Sequence, residues 1–395
     1  MEKLRILHVI ETLVVEGGGG DRACAELAEA QALNGHEVTV LCTHNAARST
    51  PILIEEVTVI KVAPMKGLAS SKLGRKMGWN LLFRNRLLAE LKMIDIVHCH
   101  GTWRLLQVYV RKACQASGIP YVSQPHGSFM PNHLLHQKWF KLLWGIIFER
   151  RNLAAAAALQ AETQTDLNDI RNYYPHPKIC IIPCGSKPVN GDLDQAAFEK
   201  CFPDIGKHPY ILYLGRLDFQ KGIDNLIMAF EQICADQPDL RLAIVGPDYN
   251  GTQHKLTQLV VERGIDRVYF MPIVTNNLEK KALFSRAVCF VLPSHSENFG
   301  ITVLEALLAD CPVLVSRSTG WANLELDQSG LVFDPSHAGV YNAMRRFFAL
   351  TTTEQTSMVR QGRCIAAEYD WRTIARKQNL VYQEILAAQR KTSCV

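Results

Sequence analysis

No stretch of this 395-residue sequence approaches the roughly 18 uninterrupted apolar residues that a membrane-spanning helix needs, because the longest candidates are broken at Gln160 and Asp310. An integral membrane protein is therefore not expected. The opening MEKLRILHVIETLVVEGGGG places His8 and Glu11 inside its apolar stretch and offers no small-residue cleavage site, so it reads as a first β-strand, not a secretory leader. Cysteine patterning is also missing. The 12 cysteines are scattered, and the nearest pair, Cys180 and Cys184, has no second pair and no matching histidines, which fits a reduced cytoplasm better than a disulfide framework. His98 and His100 share one face of a strand, yet no third ligand follows at a recognisable spacing, so zinc is not expected. No zinc-finger or RNP-type pattern is present, and nucleic acid is not an expected partner.

With 48% apolar and 21% charged residues, the chain has an ordinary globular composition, too long for one compact core. The formal charge of +5 is unevenly placed. The first 190 residues carry 22 Lys and Arg against 15 Asp and Glu, the remainder 21 against 23, so the first half is the basic one. Residues Leu4 to Ile10, a glycine run, the helical RACAELAEAQALN ending at Gly35 and the strand EVTVLC form a βαβ unit. DIVHCH (95–100), YVSQ (121–124) and ICIIP (179–183) continue the alternation. The Pro- and Gly-rich segment 183–209 reads as an interdomain connection, after which strands at 210–217, 241–246, 268–272, 287–293 and 312–316 repeat the pattern. The expected fold class is α/β, with two Rossmann-like, doubly wound domains whose strand-end loops face each other across a cleft. Domain boundaries are expected at 1–188 and 189–370, with the last helix, 371–390, completing the first domain.

Gly17 to Gly20 lie between the first strand and first helix, where bare backbone at Gly18 and Gly19 can approach a phosphate or simply turn the chain. They do not make a dinucleotide fingerprint, since Arg22 occupies the third glycine's place. In the second half, Gly215-Arg216 ends a strand and Lys221-Gly222 opens the next helix, a pairing of fixed cations and oriented N–H groups that suits a diphosphate. The stretch SENFGITVLEA (296–306) sets Glu297 and Glu305 eight residues apart. If Gly300 begins a helix, the 1.5 Å rise per residue places the two carboxylates about 12 Å apart, too far for a glycosidase pair but matched to the two ends of a nucleotide-sugar. Glu297 would then reach sugar hydroxyls, the Phe299 and Gly300 N–H groups the phosphates, and Glu305 a ribose diol, with Asn298 and Ile301 also among the donor-binding residues.

LGRLDFQKG followed by SENFGITVLEALLADCPVLVS resembles the donor site of glycosyltransferase family 4, the retaining, metal-independent transferases of GT-B fold. The likeness covers most of the chain, through GGGGDRACAELAEAQALNGHEVTVL, DIVHCHGTW, QPHGSF and GWANL. It implies a glycosyl transfer from a nucleoside diphosphate sugar to a saccharide or lipid-linked acceptor, without cofactor or metal, and places His126 beside the donor sugar with Glu297, Arg216 and Lys221 as the other catalytic groups. The pattern also departs from the family. Thr163-Gln164-Thr165-Asp166 stands where T-x-x-E is usual, behind the weak β material LAAAAALQA, and Thr319-Gly320-Trp321-Ala322-Asn323 replaces a Gly-Gly-Pro-Glu loop, which leaves the role of Asp166 and the donor's identity open. A sugar-nucleotide epimerase and a non-catalytic carbohydrate-binding homologue are the competing readings.

Two basic, aromatic-rich stretches, 65–92 and 136–151, offer an anionic membrane surface as a further candidate partner at the inner face of the cell membrane. The plainer expectation is that their apolar residues face the core and only the cations are solvated.

Overall fold

The computed structural model describes residues 2–43, 51–63, 80–248 and 250–393. The chain divides into two compact units, Met1–Gly185 with Trp371–Val395, and Ser186–Asp370.

The first unit holds a seven-stranded sheet, β1 (Arg5–Val9), β2 (Glu37–Thr43), β3 (Thr58–Val62), β4 (Ile96–His100), β5 (Tyr121–Gln124), β6 (Ala158–Ala161) and β7 (Ile179–Ile181), in the order β3-β2-β1-β4-β5-β6-β7. All its ladders among the described residues are parallel. Parallel sheets are covered on both faces, and β4 and β6 are accordingly buried along their whole length. Period-2 alternation divides the core. Leu7, Val9, Val97 and Cys99 pack with Phe83, Leu87, Leu106 and Val110 on one face, whereas Ile6, Ile96, Val122 and Ala158 pack with Cys24, Ala28, Tyr382 and Ile385 on the other. The second face is closed by the first helix, Gly19–Leu33, and the last, Trp371–Ser393.

Two expectations are refined here. The weak β material LAAAAALQA does end in a strand: Leu153 and Ala154 close a helix, and only Ala158–Ala161 forms an interior strand between β5 and β7, where small side chains suit a site covered on both faces. The boundary between the units, Gly185 to Ser186, falls inside the segment 183–209, but most of that segment belongs to the second unit, where it forms the helix Gln195–Cys201 and buries Phe198, Phe202 and Ile205.

The second unit has a six-stranded parallel sheet, β8 (Tyr210–Leu214), β9 (Arg241–Val245), β10 (Val268–Met271), β11 (Cys289–Leu292), β12 (Val313–Ser316) and β13 (Leu331–Phe333), ordered β10-β9-β8-β11-β12-β13. In both sheets the order reverses beside the first strand of the unit, between β1 and β4 and between β8 and β11. Such a switch point leaves a crevice outside the carboxyl ends of the strands where ligands bind. No helix among the described residues is long and apolar enough to cross a membrane.

The basic stretches follow the plainer expectation only in part, with Trp144 buried as it predicts. Of 65–92, residues 65–79 lie outside the described residues, and in the helix Leu81–Glu90 Phe83 and Leu87 are buried while Leu81 and Leu82 are exposed. Along 136–151, Trp139 is 79% exposed and Leu142, Leu143 and Ile146 are more than half exposed, so these apolar side chains do not face the core.

Candidate functional site

In the first unit the loop after β1 carries the glycines. Gly18, with φ 85°, caps the helix Gly19–Leu33, and a side chain built there would meet nothing within 4 Å. Gly17 has no such freedom, since a Cβ would lie 2.0 Å from Asp21 Oδ2. That carboxylate, whose Oδ2 accepts from Thr12 Oγ1 at 2.8 Å and from the Val14 N–H at 3.0 Å, staples the loop to the strand end. Burial pushes the Asp21 pKa up to about 6. Gly20 faces His126, a Cβ at that position lying 3.6 Å from His126 Cδ2.

His126 follows β5 in the left-handed region, with φ 52°. Its Nδ1 lies 2.6 Å from Glu162 Oε1 and its Nε2 3.0 Å from His100 Nδ1. Glu162, directly beyond β6, also accepts from Gln124 Nε2 at 3.0 Å and is 5% exposed. The Glu162 N–H donates to Asp166 Oδ2 at 2.9 Å, while Thr163 Oγ1 accepts from the Asp166 N–H at 3.0 Å and so caps the helix Gln164–Tyr173. The open question about Asp166 thus has a structural answer: its carboxylate, 1% exposed, props up the residue that binds His126. Burial, with the charge of Glu162 adding to it, pushes the Asp166 pKa up to about 7. Behind His126, β1 supplies the third imidazole that sequence spacing did not: His8, His98 and His100 are all buried, with ring nitrogens within 4.8 Å of one another. The parallel register sets His8 opposite His98.

In the second unit, Gly215 and Arg216 follow β8, with Arg216 exposed and its carbonyl accepting from Tyr213 Oη at 2.8 Å. Lys221 ends a single 3-10 turn, and Gly222 begins the helix Ile223–Ile233 at φ 61°. Only glycine fits there, since a Cβ would stand 2.4 Å from Pro293 O. This close approach, together with the His295 N–H donating to Gln220 O at 2.8 Å, couples the Lys221 turn to the loop after β11. Lys221 Nζ forms an ion pair with Glu297 Oε2, both side chains largely enclosed. The Glu297 N–H donates to Ser318 O beyond β12 at 3.1 Å. Arg216, Lys221 and Glu297 thus occupy loops after β8 and β11, on either side of the switch point.

Gly300, φ 79°, caps the helix Ile301–Leu308 as the sequence leads one to expect. The 12 Å estimate needs correction, because Ser296 to Gly300 form a loop in which the helical rise does not apply, and Glu297 Cγ folds back to 3.4 Å from where a Gly300 Cβ would be. Glu305 is 9% exposed and paired with Lys280 Nζ at 2.6 Å, a partner from the helix Asn277–Arg286 that carries no sequence signal. Phe299 is buried on Trp321 and Tyr369, and Trp321 Nε1 donates to Gly300 O at 3.2 Å, which explains the tryptophan in an unusual loop: it holds the helix cap in place.

The predicted residues therefore form two groups. Gly18, Gly19 and His126 belong to the first unit; Gly215, Arg216, Lys221, Glu297, Asn298, Phe299, Gly300, Ile301 and Glu305 belong to the second. Sequence reasoning missed Asp21, Glu162, His8 and Lys280.

Residues 17–188 match the model of Glycosyltransferase Family 4 and residues 197–363 that of Glycosyl transferases group 1. The chain is 22% identical over 404 residues to GDP-mannose:cellobiosyl-diphosphopolyprenol alpha-mannosyltransferase of Xanthomonas campestris, covering 99% of this chain and 100% of that one. It is 28% identical over 405 residues to glycogen synthase of Mycobacterium tuberculosis, covering 95% and 92%. Among solved structures, sucrose-phosphate synthase from Thermosynechococcus elongatus superposes with a TM-score of 0.78 at 22% identity, covering 97% and 100%. Anabaena Alr3699/HepE in complex with UDP and glucose superposes at 0.77 with 16% identity, covering 96% and 100%.

Proposed function

We propose, from the premise that the chain belongs to glycosyltransferase family 4 and is a glycosyltransferase of GT-B fold, that it takes a nucleoside diphosphate sugar as donor and transfers the sugar with retention to a saccharide or lipid-linked acceptor. The observation that carries this reading is the ion pair of Lys221 with Glu297 between the loops after β8 and β11, beside Arg216 and the start of the helix Ile301–Leu308. When the anomeric C–O bond breaks, the electron pair leaves with the diphosphate. Arg216, Lys221 and the helix N-terminus stabilise that developing charge without reorganising, which is where preorganised donors act most strongly. Glu297, released from Lys221 by the incoming phosphate, turns to the sugar hydroxyls, and Glu305 takes the ribose diol. Because these groups already supply the positive field, no divalent cation is required of the donor site.

The relatives include an enzyme whose name specifies a diphosphopolyprenol acceptor. The exposed face around the helix Lys138–Trp144 suits a lipid-borne acceptor: Trp139, Leu142, Leu143 and Ile146 project outward beside Lys138, Arg150 and Arg151. Such a face lies on an anionic bilayer, each cation contributing about 1 kcal/mol near the surface.

A panel of nucleotide-sugars tested by thermal shift identifies the donor, since a ligand at 100 times its Kd stabilises by about 2.7 kcal/mol. The reading stands if one nucleotide-sugar raises the melting temperature of the wild type and not of Lys221→Ala, and if its sugar appears in product with the donor's anomeric configuration. It fails if none binds.

A further inference from the structure

The loop that leaves β4 opens beside the switch point of the first sheet, and it contains a backbone conformation that most residues avoid. Trp103 stands in the left-handed region, with φ 64°. A bulky residue persists there only where its surroundings hold it. The holder is Glu149, whose Oε2 accepts from the Trp103 N–H at 3.1 Å and from Trp144 Nε1 at 3.2 Å. Both donors are N–H groups that cannot accept, so the direction of each bond is fixed. Glu149 ends a π turn, Gly145–Glu149, set between the helices Lys138–Trp144 and Arg150–Ala154. Such turns are frequent at functional sites. This one needs its glycine, because a Cβ at Gly145 would lie 2.5 Å from the Tyr173 hydroxyl. Glu149 is 1% exposed, and burial pushes its pKa up to about 7. Enclosing a carboxyl opposes folding, so its place here points to what it holds. The Trp103 ring meets Phe129 and Tyr173 edge-on, each at 5.6 Å, and Lys141 Nζ stands 5.6 Å from the ring centroid. In the same loop Thr102 Oγ1 and Trp103 Nε1 are enclosed without a hydrogen-bond partner, which folded proteins seldom allow without a use for the group. An aromatic ring with an unspent donor on its edge suits a saccharide, whose ring has apolar faces and a rim of hydroxyls.

We infer that Glu149 is a positioning residue for the acceptor: it pins Trp103 in its left-handed backbone, and Trp103 so placed receives an acceptor saccharide at the carboxyl end of β4. Trp144, the second donor to Glu149, fixes the carboxylate from the other side. The role of the saccharide rests on the proposed function, whereas the pinning of Trp103 is a property of the protein alone.

The experiment has two arms, each comparing wild type with Glu149→Leu, which removes the acceptor oxygen, and Glu149→Gln, which keeps one. In the full chain labelled with 15N-tryptophan, the Trp103 backbone N–H and the Trp144 indole N–H are expected downfield and slow to exchange in wild type, retained in the Gln variant and lost in the Leu variant. The indole N–H groups of Trp321 and Trp371, bonded to Gly300 O and to Glu26, are expected to stay in place and so report that each variant is folded. An unchanged Trp103 N–H in the Leu variant overturns the pinning. In the kinetic arm, transfer is measured from the nucleotide-sugar selected by thermal shift to a panel of free mono- and disaccharides. The Leu variant is expected to raise the saccharide KM roughly tenfold, with donor KM and hydrolysis of the donor by water within about twofold of wild type, and the Gln variant to recover most of the loss. Trp103→Ala is expected to raise the saccharide KM at least as far. Equal saccharide KM in the Leu variant and wild type overturns the acceptor role, and so does a donor KM that rises in step. If wild type transfers to no saccharide, the proposed saccharide acceptor fails and the acceptor role with it, while the tryptophan spectra still decide the pinning.

Discussion

In the first unit the polar groups at the strand ends find their partners inward: His126 on His100 and Glu162, Asp166 on the Glu162 backbone, Asp21 on its own loop. In the second unit each of the two glutamates expected from the sequence is held instead by a lysine side chain from another element, Glu297 by Lys221 and Glu305 by Lys280. The two sheets share one winding rule, so the difference lies in the loops and not in the architecture. An enclosed hydrogen-bonded network fixes a shape. A cation and an anion paired across two elements can exchange partners when a ligand brings phosphate to one and hydroxyls to the other. If the proposed function holds, the first unit is expected to stay rigid and the second to exchange partners with its ligand.

The sharpest way to break this contrast is to remove the exchanging cations. Lys221→Ala and Arg216→Ala are each expected to lower kcat/KM by about 10² or more. Steady-state kinetics within threefold of wild type for both would remove them from the donor site. Next comes the division between the two glutamates. Glu297→Gln is expected mainly to lower kcat, since sugar contacts tighten as the ring distorts, and Glu305→Gln mainly to raise donor KM, each by about tenfold. Glu305→Gln also leaves Lys280 enclosed without its carboxylate, which is strongly destabilising, so its melting temperature is expected to drop further than that of Glu297→Gln. Identical kinetic profiles for the two would end the division.

The first unit offers a test by pH. The folded pKa of Asp166 stands at about 7, raised above the ordinary value of 3.8 by burial first and by Glu162 second. Between those values the folded chain binds more protons than the unfolded one, so stability from this group falls as pH rises from about 4 to about 7. Asp166→Asn removes that slope. Its melting temperature relative to wild type is expected to improve by a few degrees between pH 5 and pH 8 in calorimetry, at about 2–4 °C per kcal/mol for a unit of this size. A constant difference across that range would show that the carboxyl does not titrate there. Weaker still is the surface effect. Trp139→Ser with Leu143→Ser is expected to reduce salt-sensitive co-sedimentation with anionic liposomes while leaving the second unit's donor-induced thermal shift unchanged. Equal sedimentation with neutral vesicles would favour a water-borne acceptor. The smallest expected effect is that of chelation: activity in EDTA should equal the untreated rate, and loss restored by Mg²⁺ or Mn²⁺ would require a metal at the diphosphate.

What could be read beforehand divides along the same line. Strands rich in Val, Ile and Leu announced themselves, and the second unit's site was legible because its glycines, cations and glutamates lie in two short segments. The first unit's network was not, for two physical reasons, and one partner in the second unit was missed as well. β6 reads Ala-Leu-Gln-Ala behind a run of alanines, which gives little strand signal, and so Glu162 at its end went unnoticed. His8 joins His98 and His100 only through the register of β1 against β4, which is a tertiary fact. Lys280 reaches Glu305 from a helix whose sequence reads as ordinary solvated surface.

The last helix, which closes one face of the first sheet, has a consequence for how the molecule is made. Asn379 and Tyr382, which hold Gln31 and His98, lie on the last helix, and the whole second unit, Ser186–Asp370, is translated before them. At 5–20 residues per second, roughly 10–40 s of synthesis separate the end of β7 from the residues that finish its core. The nascent first unit waits through that interval with one apolar sheet face only partly covered, while the second unit has its complete sequence and is free to fold first. Vectorial folding therefore runs against chain order, and refolding from denaturant, where both ends are present at once, is expected to close the first unit sooner than the ribosome can.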